Sequence, residues 1–240
     1  MDGQSATYGR PGLAEANRLD AFVDAAFAFA VSLLIIAGGE PLRSFEDLLH
    51  ALMRIPAFLA GFALIILFWL AHRAWSALGP KRDRMATLLS LAVVFSVLVF
   101  VFPLRLLTET AVHFMSGGRL PGGELINSFG ELGWIYVIYG LGFSTLSVLY
   151  ALLFRHAGAA MDSDAAGLVE ARSWARTWLL AAVAGLLSSG VAVSPLLPTA
   201  PWLPGVTYWL IPIGIWIFAR MDRRRARRQG AGEAGAASAG

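Results

Sequence analysis

No charged residue interrupts positions 177–219. That run is about twice the ~20 apolar residues that carry a helix across a bilayer, which restricts the chain to a membrane fold. Backbone polar groups in hydrocarbon have to be paired within the protein, so the run is read as helical. Pro195, Pro198, Pro201 and Pro204 divide it, predicting a helical hairpin. Four further apolar stretches, at 19–38, 55–71, 85–104 and about 133–154, bring the expected number of spans to six. The fold class expected is therefore all-α, a polytopic membrane protein with six transmembrane helices. At 57% hydrophobic and 15% charged residues, the composition is not that of a soluble globular chain.

The charged residues set the orientation. Of the 19 Lys and Arg residues, placing both termini in the cytoplasm leaves only Arg43, Arg54, Arg105 and Arg119 outside. The opposite orientation reverses the ratio, so the excess of positive charge on cytoplasmic loops decides it. A net charge of +3 spread over helix ends points to membrane topology and membrane lipids as partners, and not to nucleic acid. Residues 1–16 are expected to be a flexible lead-in, 17–220 the transmembrane domain, and 221–240 a basic and then disordered tail. The break at Gly38, Gly39 and Pro41 is followed by Ser44-Phe-Glu-Asp47, which resembles a capping box. Phe45, Leu48, Leu49 and Leu52 continue it as an amphipathic helix in the interface or leading into the next span. Pro103 lies near the expected end of the third span, and residues 105–132 form the longest expected loop. Met161-Asp-Ser-Asp164 is read as the cap of a helical lead-in to the fifth span.

Candidate chemistry is sparse. With no cysteine there are no disulfides, thiolates or Cys-based metal sites. His50, His72, His113 and His156 have no metal-ligand spacing, and Glu109, Glu124 and Glu131 fall among outer turns, where solvation explains them. No phosphate-binding glycine loop and no carbonyl selectivity loop are present. No cofactor or enzymatic site is expected.

The exception is the first helix, which begins with Arg18, Asp20 and Asp24 and then becomes wholly apolar. Asn17 is a plausible cap, which would place Asp20 in the first turn, where a carboxylate suits the helix dipole. Asp24 lies a full turn deeper and needs another reason, since ionisable groups inside a span are costly and mark function. Arg18, Phe22 and Asp24 resemble the Arg-x-x-x-Phe-Ser-Asp signature of the transmembrane protein 175 family of lysosomal and bacterial potassium channels. Val23 stands where that family usually has serine, Phe29 where it has isoleucine, and Ser32 where it has threonine. Trp69 and His72 are similar to the Trp-x-x-His-His pattern of its second helix, with Arg73 replacing the second histidine.

The resemblance implies a homotetrameric potassium channel of a bacterial inner membrane, with both termini cytoplasmic and K+ as the permeating ion. It makes Arg18, Phe22, Asp24, Trp69 and His72 a structural network, with Arg18 and His72 the partners of Asp24. At ~100° per residue, Phe22, Phe29, Ser32 and Ile36 fall close to one line along the helix. Such a stripe suits ordinary packing, but the resemblance implies that Phe29, Ser32 and Ile36 line a pore. A secondary transporter using Asp24, or a membrane scaffold, remains the alternative from the residues alone.

Overall fold

The computed structural model describes residues 11–36, 43–79, 82–122, 126–161 and 165–237, and every regular element among them is helical. In chain order these are α1 (Pro11–Ile36), α2 (Phe45–Met53), α3 (Ile55–Ala77), α4 (Arg84–Met115), α5 (Phe129–Ala159), α6 (Ala165–Ala192), α7 (Leu203–Val206) and α8 (Leu210–Ala237). A short 3-10 turn, Thr207–Trp209, joins the last two. Six of these helices are long and apolar enough to span a membrane, as the sequence led us to expect. The expected lead-in before Pro11, the break at Gly38 to Pro41 and the cap at 162–164 lie outside the described residues.

Several boundaries differ from the expectation, each for a local reason. The first helix begins at Pro11, so Asn17 lies inside it and is not its cap. Proline is pre-set for a first helical position, and Leu13, Ala14, Glu15 and Ala16 are all good helix formers. The third span does not end at Pro103, because α4 continues to Met115. Proline is tolerated in spanning helices when neighbours take up the freed carbonyl. Arg105 and Glu109, read from sequence as loop residues, are one turn apart and form an ion pair at 2.9 Å with both side chains largely buried. The fourth span starts at Phe129 because Ser128 Oγ caps it, accepting from the Glu131 N–H at 3.2 Å. The fifth helix begins at Ala165 and ends at Ala192, where the expected proline turn follows. In the tail, α8 runs past Arg228 to Ala237 where disorder was expected: Ala231, Ala234, Ala236 and Ala237 favour the helix against the cost of Gly230, Gly232 and Gly235.

The capping box is present as expected. Asp47 Oδ2 accepts from the backbone N–H groups of Arg43 and Ser44, each at 2.8 Å, and Ser44 Oγ accepts from Asp47 N–H at 3.1 Å. The bond from Arg43, seconded by those of Ser44, holds the Asp47 carboxyl below its usual range. The stabilisation is therefore complete above the ordinary aspartate value of about 4 and is lost as pH falls below it. Ser44→Ala should weaken α2 by about 1 kcal/mol. Faster amide exchange confined to the first turn of α2, in the variant or in the parent protein below about pH 4, checks this.

The bundle is centred on α5 and α6. Gly140 and Gly185 face each other across them, and Ser144 Oγ donates to the Ala182 carbonyl at 2.9 Å. Phe68 of α3, Tyr150 of α5 and Trp178 of α6 stack in turn, with Phe68 and Tyr150 centroids 6.0 Å apart and Tyr150 and Trp178 centroids 4.9 Å apart. Trp75 is fully buried and donates Nε1–H to the Leu153 carbonyl at 3.1 Å, tying α3 to α5 a second time. Helix α1 lies at one edge against α3 and α4, while α8 rests on α6 at the other.

Candidate functional site

Helix α1 has two unlike faces. Val23, Phe27, Ala30 and Leu34 recur at i, i+4, i+7 and i+11 and are buried against α3 and α4. On this face Leu34 Cδ2 would lie 3.0 Å from a Cβ on Gly61, so an alanine there would require the Leu34 side chain to shift by a few tenths of an ångström. Val23 is wholly buried among apolar neighbours, a setting in which a hydroxyl would need a partner of its own.

The other face has no packed neighbour among the described residues. Phe22, Phe29 and Ile36 are 53%, 54% and 68% exposed, and Ala25, Ala28 and Ser32 between them are exposed as well. Ser32 Oγ donates to the Ala28 carbonyl at 3.2 Å. Its own lone pairs are thereby left facing outward.

The charged residues of the motif find different partners from those expected. Asp24 Oδ1 accepts from Trp69 Nε1 at 2.8 Å, whereas Arg18 is exposed and makes no bond to Asp24 among the described residues. His72 is buried and faces α4, with Nε2 3.2 Å from Ser90 Oγ. The reason is helical phase. Trp69 and Ser76, seven residues apart, differ by only ~20° around α3 and both face α1, while His72 falls with Phe68 and Trp75 on the core side.

Asp20 is likewise not a headgroup residue serving the helix dipole. Its carboxylate accepts from Ser76 Oγ at 2.7 Å and from Arg82 Nη2 at 2.8 and 3.0 Å. Sequence reasoning missed this pair, although Asp20 and Asp24 are one turn apart and so share a face. It also treated His50 and His113 as unrelated. Together with Met53 and Arg119 they line a cavity of about 310 Å3 at the opposite end of the bundle. Among the described residues, no cluster of three His, Asp or Glu side chains could hold a metal ion.

With this geometry in view, the comparisons are specific. The sequence profile of the family described as endosomal/lysosomal potassium channel TMEM175 matches residues 18–103, which include both the α1 motif and the Trp69–His72 segment. A potassium channel of Marivirga tractuosa is 28% identical over 230 residues, covering 88% of this chain and 90% of its own. A crystal structure of a variant of the potassium channel MtTMEM175, in complex with a nanobody–MBP fusion protein, superposes with a TM-score of 0.73 at 26% identity. That match spans 86% of this chain and 93% of the other. The chain is similar to the TMEM175 family over residues 18–103 and shares the fold of a solved TMEM175 channel. A TMEM175 homologue from Chamaesiphon minutus shares the fold, with a TM-score of 0.58 at 19% identity over 85% of this chain and 97% of its own. The family profile stops within α4, so the placing of α5 to α8 in the TMEM175 fold rests on the structural matches.

Proposed function

We propose that this chain is one subunit of a homotetrameric cation channel, potassium-selective or weakly so, whose pore is lined by α1. The observation that carries the reading is the unpartnered face of α1. A stripe of Phe22, Phe29, Ser32 and Ile36 is exposed on a helix long enough to span the membrane, whose opposite face is packed into the bundle. One helix cannot enclose a pore, but copies related by a symmetry axis can, each presenting the same face. The named relatives are potassium channels, which sets the expected ion.

In this arrangement Phe29 forms an apolar ring that resists wetting, and Ser32, one turn further out, supplies oxygens to a partly dehydrated cation. Ile36 forms a second apolar ring toward the outer mouth. Transport is passive and needs no bound cofactor. On this reading the channel sits in a bacterial inner membrane with both termini cytoplasmic, an orientation that the distribution of Lys and Arg supports.

The test is K+ flux from liposomes containing the purified protein, together with its subunit count by native mass spectrometry. A tetramer that dissipates a K+ gradient unaided is the expected result. Flux that requires a second ion gradient would instead mark a coupled carrier using Asp24. That carboxylate, already engaged by Trp69, is better placed to hold α1 to α3. Asp24→Asn keeps an acceptor oxygen but loses the charge, so thermal stability should fall by about 1 kcal/mol. Cation preference in the surviving channels should stay unchanged, and altered reversal potentials would show that Asp24 meets the permeating ion.

A further inference from the structure

We propose that Asp20 and Arg82 are positioning residues that set the rotation of α1 and thereby aim Phe29 at the pore axis. The inference rests on the channel reading above and adds residues outside the α1 motif.

Asp20 Oδ2 and Ser76 Oγ are both within 2.8 Å of Arg82 Nη2. The Arg82 side chain is only 11% exposed, and its guanidinium carbon lies 4.3 Å from the centroid of the Trp75 ring. Arg82 Nε and Nη1 are buried without an acceptor, so Asp20 is the one carboxylate that balances this charge among the described residues. Trp75 is in turn bonded to the Leu153 carbonyl of α5. A continuous path thus runs from α1, through Asp20, Arg82 and Trp75, to the rigid centre of the bundle.

The position of Asp20 on α1 gives the path its meaning. Nine residues separate it from Phe29, which at ~100° per residue puts the two on opposite sides of the helix. A tie at Asp20 therefore fixes the angle at which Phe29 projects away from the bundle. The bond between Asp24 and Trp69 lies on the same side one turn further along, so α1 is held at two points against α3. Removing one member alone would leave the other buried and unbalanced, which confuses positioning with misfolding. Removing both avoids this.

The decisive variant is the pair Asp20→Asn and Arg82→Gln, made in the full chain, reconstituted after size-exclusion selection of assembled oligomer, and assayed for K+ flux. With one of its two polar ties to α3 removed, α1 is held less firmly in rotation and Phe29 leaves the axis for part of the time. Flux per oligomer should then rise roughly 2- to 30-fold, the range expected for coupling between sites. Combined with Phe29→Ala, the same pair should change flux by less than about 2-fold, because its effect acts through that ring. A merely structural role would not depend on the residue at position 29. Wild-type flux in the paired variant, loss of its assembly, or an equal rise in both backgrounds overturns the proposal. A Phe29→Ala channel that conducts like wild type also overturns it. Wild-type protein that passes no K+ would instead defeat the channel reading itself.

Discussion

Phe29→Ala is expected to assemble normally and to conduct K+ about tenfold faster than the wild type, with weaker discrimination between K+ and Na+. The expectation combines burial with phase. Phe29 is 54% exposed within its subunit, so truncation leaves no core cavity there, and the loss of about 3–5 kcal/mol expected of a buried phenylalanine does not apply. Its removal is felt where symmetric copies would converge. In the proposed channel a ring of phenyl groups there would exclude water from the path of the ion. Lowering that barrier by about 1.4 kcal/mol corresponds to the tenfold change. Liposome flux and bi-ionic reversal potentials, measured on size-selected oligomer, read the result. Normal assembly with unchanged flux would remove Phe29 from the pore. Poor assembly would make it an interface residue instead.

Gly140→Ala is expected to destabilise the bundle strongly. A Cβ at this position would overlap Ser189 Oγ and lie 2.6 Å from the Gly185 carbonyl oxygen, which is backbone and cannot turn aside. Gly185 presents the same problem from the other helix, with the Gly140 carbonyl oxygen 2.8 Å from its own would-be Cβ. Alanine improves helix propensity by up to about 1 kcal/mol. Forcing α5 and α6 apart costs about 1–3 kcal/mol, and more where the obstacle is main chain. Overpacking therefore wins, by about 2 kcal/mol. Gly190→Ala is the control, since nothing lies within 4 Å of its would-be Cβ, and it should be neutral or slightly stabilising. Thermal unfolding of both purified variants makes the comparison. Equal stability would mean that the two helices do not meet at these glycines.

Much of this architecture was legible from residues with a single physical reading. The four prolines of the hairpin, Ser44 with Asp47, and the uncharged spans each admit one local solution, and the structure adopts it. The errors share a different character. Arg105 and Glu109 look like loop residues in a one-dimensional pattern, but one turn apart they neutralise each other and extend α4. Helical phase gives the angle between Asp20 and Phe29 on their own helix. It does not say which neighbour each of them meets. Asp24 was accordingly matched with His72 when Trp69 was the residue facing it, and Asp20 was assigned to the helix dipole when Arg82 was waiting across the turn. The stripe on α1 is predictable in composition and position, and its lack of a packed partner among the described residues is what the fold adds.

The loose seating of α8 bears on how the protein meets bilayers of different thickness. The spanning segment Leu203–Arg223, made of α7, the 3-10 turn and the start of α8, is the least buried of the six, and among the described residues α8 packs mainly on α6 and on the turn that leads into it. Trp209 and Trp216 face outward, and Arg220 lies 5.2 Å from the Trp216 ring, an aromatic and basic anchor at one end of the span. A helix held chiefly by lipid takes its tilt from hydrophobic mismatch, at a cost of fractions of a kcal/mol per ångström. Helix α1 sits at the far edge, against α3 and α4. Tilting of α8 in response to membrane thickness would therefore leave the contacts that hold α1 against α3 and α4 undisturbed.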